Sequence, residues 1–243
     1  SVEELLRGER VTFSRFCHGW SIAQLADGYR YCFDDVLCAR LALSAAPGAR
    51  RLLDLGSGLG TVGLLWLGQQ PRPLRPASCT LLEAQEVSVA LCRMTLRHCG
   101  LEEAVDLRRG DLRDPATLAS LGGGFDVVTA NPPYMSASAG ALPRHPQRAY
   151  CRHELRGGLP DYCRAAAGQL ARGGTFCMIH AAQRAAEVLD SLAEGGFVVQ
   201  RRADVLARGA VKSVAFVCRR AEDAGGGAAA AEPSRWTVEV QDA

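Results

Sequence analysis

Apolar residues run along this chain in short, dense blocks rather than in strict alternation. Arg51-Leu52-Leu53-Asp54-Leu55, Cys79-Thr80-Leu81-Leu82-Glu83 and Phe125-Asp126-Val127-Val128-Thr129-Ala130 each read as a strand covered on both faces, as in a parallel sheet. Between them, apolar positions recur with helical period over residues 34–46, 61–69 and 85–99. Val105–Arg109 supplies a weaker strand, and Gly122-Gly123-Gly124 separates a short helix from the strand at Phe125. The pattern then predicts a helix over 150–171, a strand Thr175–Ile179, a helix over 182–194 and a closing pair of strands, Phe197–Arg202 and Ser213–Arg219. Pro71–Pro76 reads as a loop, and the Gly/Ala-rich stretch 221–232 as a linker. Regular strand–helix alternation of this kind predicts an open α/β sheet.

Composition narrows the picture. A chain of 243 residues that is 48% hydrophobic can bury one substantial core, so a single domain is expected. A net charge of +2 is too mild to signal nucleic-acid binding by itself, and any such contact must come from local clustering. Lys212 is the only lysine; every other basic residue is arginine, which grips phosphate in a two-pronged geometry, although compositional bias produces the same preference. The ten cysteines are scattered through predicted elements of a long chain without a C-x-x-C pair, which reads as reduced thiols. Cys151, His153 and His145 form the one close set of metal-ligand types, and no metal is expected. No membrane-spanning run or secretory signal is visible, so no membrane partner and a cytoplasmic location are expected, or an organelle if a targeting segment has been removed ahead of Ser1.

Four strand ends carry the candidate chemistry. Asn131-Pro132-Pro133-Tyr134 follows the strand that begins at Phe125. Two successive prolines fix φ and restrict the residue before each, so an amide, a carbonyl and a ring leave the sheet in a preset geometry. Asp54-Leu55-Gly56-Ser57-Gly58-Leu59-Gly60 is a nucleotide-type loop. Its G-x-G-x-G spacing differs from that of dinucleotide binders and lacks the Gly-Lys-Ser/Thr of a P-loop. Asp54 before the first glycine suits a ligand with positive charge better than a phosphate. Glu83, at the end of the next strand, is placed to accept from a ribose diol, and Asp111, after the third, to receive an adenine amino group. Either acid can equally be a helix cap or a solvated strand end.

In this order the elements resemble a class I S-adenosylmethionine-dependent methyltransferase, and the pairing of Asp-x-Gly-x-Gly-x-Gly with Asn-Pro-Pro-Tyr resembles members that methylate amino or amide nitrogens. Gln24 and Gly28-Tyr29-Arg30-Tyr31-Cys32-Phe33-Asp34-Asp35 are similar to the segment ahead of the cofactor loop in tRNA adenine-N6 methyltransferases that modify the adenine beside the anticodon of a valine tRNA. The chain departs from that family's usual Phe-Ser at Tyr31 and Cys32. Further matches are Arg152-His153-Glu154-Leu155, His180-Ala181-Ala182-Gln183-Arg184 and Trp236-Thr237-Val238-Glu239. The resemblance implies a Rossmann-like sheet of seven mostly parallel strands with an antiparallel last strand. It implies S-adenosylmethionine as cofactor, held by Asp54, Gly56, Gly58, Gly60, Glu83, Asp111, Tyr29 and Asp34. It further implies a domain over residues 1–220 whose first 46 residues cover the site, a terminal segment 235–243 packing on that domain, and a monomer, with an activating subunit left open.

The chemistry explains the residue types. The exocyclic nitrogen of adenine is a poor nucleophile because its lone pair is delocalised. Acceptance of its two hydrogens by the Asn131 side-chain oxygen and the Pro132 carbonyl would turn that lone pair toward a sulfonium methyl, with Tyr134 stacked on the base. Arg144, Arg148, Arg152 and Arg156 recur every four residues, so any helical part presents them on one face, either to RNA phosphates or simply to solvent. His153 and Glu154 read as a hydrogen-bonded structural pair. The acceptor expected is adenine N6 in RNA, above all tRNA. A glutamine side-chain amide, as in enzymes that modify release factors, has the same planar nitrogen and stays open. So does a catalytically silent RNA-binding subunit.

Overall fold

The computed structural model describes residues 6–70, 78–223 and 233–240. The proline-rich loop expected at 71–76 lies outside them, as do most of the expected linker (224–232) and the last residues of the terminal segment (241–243). Strands β1 (Val11–Arg15) and β2 (Ser21–Leu25) form an antiparallel hairpin that the apolar pattern does not reveal. Then follow α1 (Phe33–Ala45), β3 (Arg51–Leu55), α2 (Thr61–Gln69), β4 (Ser78–Glu83), α3 (Glu86–Cys99), β5 (Val105–Arg109), α4 (Pro115–Ser120) and β6 (Phe125–Ala130). The second half holds α5 (Pro146–Arg152), α6 (Leu159–Gln169), β7 (Leu170–Ala181), α7 (Ala185–Glu194), β8 (Phe197–Ala207), β9 (Ala210–Arg220) and β10 (Ser234–Val240).

The main sheet runs β10-β8-β9-β7-β6-β3-β4-β5. Its first seven strands in chain order have the expected character: five parallel neighbours, then β8 and β9, with β9 antiparallel to both β7 and β8. β10 adds an eighth, parallel to β8 at the sheet edge, where Trp236, Val238 and Val240 turn inward. Side chains alternate between two layers. Leu52 and Val127 face α1, α2 and α3, whereas Leu53 and Val128 face α6 and α7. Each Leu taken fully from water stabilises the fold by about 1.5–3 kcal/mol, which explains the dense apolar blocks. Ile22, Ala23 and Leu25 of the hairpin pack with Leu91 of α3, and the Ala23 N–H donates to the buried Thr95 hydroxyl (2.9 Å).

The single helix expected over 150–171 is two. Helix α5 ends where His153 turns to extended backbone (φ −115°, ψ 142°), the connecting chain passes through Gly157 at φ +97°, and Pro160 stands in the first turn of the second helix. No helix among the described residues is long and apolar enough to cross a membrane.

Candidate active site

β3 and β6 are central neighbours. Beyond β3 the chain proceeds to β4 and β5 on one side, while β6 and β7 lie on the other, so the switch of direction falls between β3 and β6. In open α/β sheets ligands bind outside the carboxyl ends of the strands at this point. Register pairs Leu55 with Ala130, so the glycine loop and Asn131 leave the sheet side by side. The buried Asp54 and Thr129 also pair, and the Thr129 hydroxyl donates to Asp54 Oδ1 (2.8 Å).

A cleft of about 840 Å3, counting its open mouth, gathers Asp54, Gly56, Gly58, Glu83, Asp111, Asn131 and Pro133, with Tyr29 from the segment before α1. Gly56 has φ +64° and lies so close to the Tyr162 ring and hydroxyl that a Cβ there would collide with it. Gly58 (φ +56°) instead borders open space in the cleft. Gly60, though expected at the cofactor, is not a wall of the cleft; a Cβ on it would meet Cys92 and Leu81, so it permits helix α2 to seat against β4. Glu83 accepts the Gly58 N–H (2.7 Å) and the Gln85 N–H (2.6 Å), tying the loop to the end of β4. Asp111 is gripped by Arg113 Nη2 (2.7 Å), whose hydrogen bonding holds its carboxyl below the usual range.

The catalytic loop is held more tightly. Asn131 Nδ2 donates to Asp35 Oδ1 (2.8 Å), while Asp35 Oδ2 accepts the Cys32 N–H (3.0 Å) at the start of α1. The Asn131 amide is thereby oriented with its oxygen free to accept. Pro132 is buried beneath the loop; Pro133 lines the cleft and gives its carbonyl to His180 Nε2 (3.2 Å). The Tyr134 hydroxyl donates to Asp34 Oδ2 (2.7 Å), and its ring lies 4.7 Å from that of His180. Asp34, expected at the cofactor, is committed to Tyr134 and to the Ser213 hydroxyl (2.8 Å) instead. Asp35 is the cleft residue, because one step along a helix turns the side chain by roughly a quarter-turn or more.

Asp35, Asp54 and Glu83 put three buried carboxylates around one cleft. Burial pushes the Asp54 carboxyl up to about 7 against the opposing Thr129 bond, and raises Asp35 and Glu83 as well. Such a cluster favours a cationic ligand.

The arginines divide. Arg148 and Arg152 on α5, with Arg144 ahead of it, line a second, open groove together with His145 and Asp27. Arg156 lies beyond the end of α5, stacks over Tyr150 (4.5 Å), donates to the Ala84 carbonyl (2.8 Å) and borders the cofactor cleft. A four-residue spacing unites side chains only while the helix continues, and here it stops at Arg152. Helix α5 thus separates the two depressions, with Tyr150 and Cys151 toward the cleft. His153 and Glu154 do not bond each other: His153 Nε2 meets the Ala139 carbonyl (3.0 Å) and Glu154 pairs with Arg184 (2.9 Å). Ser57, Thr61, Tyr150, Cys151 and Tyr162 are further cleft residues that sequence reasoning missed; no spacing rule marks them. Among the described residues no set of His, Cys, Asp or Glu is arranged to hold a metal.

Residues 35–143 match the model of the family described as methyltransferase small domain, and they span the glycine loop, all three carboxylates and the Asn-Pro-Pro-Tyr rim. The chain has the class I methyltransferase fold. The chain is 25% identical over 170 residues to a tRNA1(Val) (adenine(37)-N6)-methyltransferase of Bacteroides thetaiotaomicron, covering 69% of this chain and 67% of the relative. In fold it resembles a 16S rRNA N2-guanine methyltransferase from Thermus thermophilus solved with AdoMet and guanosine (TM-score 0.59, 17% identity, 87% of this chain and 50% of that one). It resembles equally a predicted O-methyltransferase from Agrobacterium tumefaciens (TM-score 0.56, 18% identity, 85% and 86% covered). These likenesses establish the fold.

The cleft fits S-adenosylmethionine on its own chemistry. Asp54 Oδ2 and Ser57 Oγ are buried polar atoms on the cleft wall with no protein partner. Unpaired buried groups are rare and point to a ligand. Asp54, Glu83 and Asp111 line the cleft with carboxylate acceptors that suit a cationic, hydroxyl- and amine-bearing ligand, and Gly58 leaves the backbone open to close approach.

Proposed function

We propose that the chain transfers a methyl group from S-adenosylmethionine to the exocyclic N6 amino group of an adenine in RNA, with tRNA the expected class. The observation that carries this reading is the Asp35–Asn131 bond, which commits the amide nitrogen and leaves the oxygen to accept. When bound, the cofactor supplies an electrophilic methyl on a sulfonium. Asn131 Oδ1 accepts one hydrogen of the acceptor amine and the Pro132 carbonyl the other, which turns the nitrogen lone pair outward. Orientation of this kind recovers ~7–11 kcal/mol of barrier in well-aligned intramolecular reactions. Positive charge that develops on nitrogen is faced by the Asn131 oxygen, with the Asp35 carboxylate behind it. No strong base is needed, because the product proton leaves to water after transfer. Tyr134, anchored through its hydroxyl, has a fixed ring plane that suits stacking on a base, worth ~1–3 kcal/mol.

A glutamine side-chain amide would satisfy Asn131 equally well. The groove of Arg144, Arg148 and Arg152 beside the site favours an acceptor that carries phosphates, and the named activity of the Bacteroides relative agrees. The protein should be incubated with radiolabelled donor and separate pools of tRNA, ribosomal RNA and release factor, followed by digestion to nucleosides or peptides. Label in N6-methyladenine from the tRNA pool is the expected result; label confined to glutamine would overturn the RNA reading.

A further inference from the structure

The Asn131–Tyr134 loop cannot hold itself. Pro132 and Pro133 have no N–H, so two successive residues offer the backbone only carbonyls, and donors must come from outside. β7 lies beside β6, with Met178 opposite Ala130, so the strand delivers His180 next to the loop that leaves β6. His180 is fully buried, its Nε2 is 3.2 Å from the Pro133 carbonyl and its ring is tilted 49° against Tyr134 at 4.7 Å. A carbonyl can only accept, so Nε2 carries the hydrogen and Nδ1 has a lone pair. That Nδ1 is buried without a partner, an arrangement that destabilises the fold unless the bond made by the other nitrogen is needed. One turn beyond, Arg184 Nη1 reaches the Tyr134 carbonyl (3.3 Å) and is itself fixed by Glu154 (2.9 Å).

We infer that His180 is a positioning residue for methyl transfer: its Nε2–H holds the Pro133 carbonyl and its ring braces Tyr134, fixing the backbone from which Asn131 and the Pro132 carbonyl meet the acceptor. With the Pro133 carbonyl engaged, the Pro132 carbonyl is the one left for the substrate. Arg184 extends the same grip by one residue. Burial holds the imidazole neutral, its pKa pushed down to about 4, so the bond persists throughout the neutral range. The inference rests on the methyl-transfer geometry proposed above, and its assay uses the acceptor named there.

The test compares wild type with H180F, which keeps a ring but no donor, and H180Q, which restores an N–H near the Nε2 position. Turnover on the tRNA pool at saturating donor should fall by ~10–100-fold in H180F with the donor KM within about twofold of wild type, since a displacement near 1 Å has effects of that size. H180Q should recover most of the loss. Nitrogen-15 NMR of the wild-type protein should show one imidazole as the neutral Nε2–H tautomer from pH 8 down to about pH 5, a signal absent from H180Q. H180F turnover within about twofold of wild type, equal losses in both variants, or an Nδ1–H tautomer would overturn the inference. The NMR result does not depend on H180F, so a poorly folded H180F leaves the question decided. A wild type that methylates glutamine and no adenine would defeat the substrate reading alone, and the same turnover comparison would then be made on that product.

Discussion

Two loops leave the sheet side by side at its switch point, and they are held in opposite ways. The glycine loop after β3 is anchored by one carboxylate, Glu83, and keeps polar atoms of Asp54 and Ser57 without protein partners. The Asn-Pro-Pro-Tyr loop after β6 is gripped by Asp35, Asp34, His180 and Arg184. The first leaves its hydrogen-bonding capacity open for a ligand, whereas the second spends most of it on rigidity and leaves the Asn131 oxygen and the Pro132 carbonyl as acceptors. Binding and catalysis therefore make contrary demands on neighbouring turns of one sheet.

Breaking the catalytic loop should have the largest effect. N131A is expected to lower turnover by ~10²–10³-fold while donor affinity, measured by calorimetry, stays near wild type, as for loss of one preorganised polar group. A parallel loss of donor affinity would show that the two loops are not separable. D35N comes next: it keeps the size but lets Asn131 turn over, and turnover should fall by about 10-fold or more. The rate of N6-methyladenine formation at saturating donor checks it, and an unchanged rate would remove Asp35 from the grip.

For the glycine loop the informative variable is pH. Asp54 holds its proton up to about 7 in the folded protein, above its ordinary value, so its contribution to stability is full at low pH and is lost as pH rises through about 7. A cationic ligand reverses this by favouring the carboxylate. Donor binding should then release a proton and tighten by about 5–10-fold between pH 6 and pH 8, measured by calorimetry in buffers of different ionisation heat. D54N should flatten the slope; wild-type affinity independent of pH would place the cation elsewhere. The smallest effect belongs to neither loop. R148A/R152A should weaken RNA binding a few-fold and reduce the salt slope by about one to two phosphate contacts, leaving donor binding unchanged.

The parallel core was legible because its strands are buried on both faces and therefore appear as dense apolar blocks. β1 and β2 escaped notice because the short hairpin covers one helix and carries mixed residues such as Thr12 and Ser14. The sequence of β10 suggests only a packing segment, although Trp236, Val238 and Val240 alternate inward. At the site, strand-end residues could be read because position in the sheet dictates their location. Asp34 and Asp35 are adjacent acids whose roles are set by helical phase, which depends on where α1 begins. Arg156 departs from its neighbours because spacing does not show where a helix stops: α5 ends at Arg152 and His153 turns to extended backbone.

Asp35 gives α1 a role that its place ahead of the glycine loop would not suggest. The same carboxylate receives the first N–H of that helix and, 96 residues along the chain, the amide of Asn131. Fraying of α1 by a single turn would take one carboxylate from the cleft wall and release the amide to rotate by half a revolution, offering hydrogens where the acceptor amine needs an oxygen. Whatever steadies or loosens the amino end of that helix would act as a switch on reactivity.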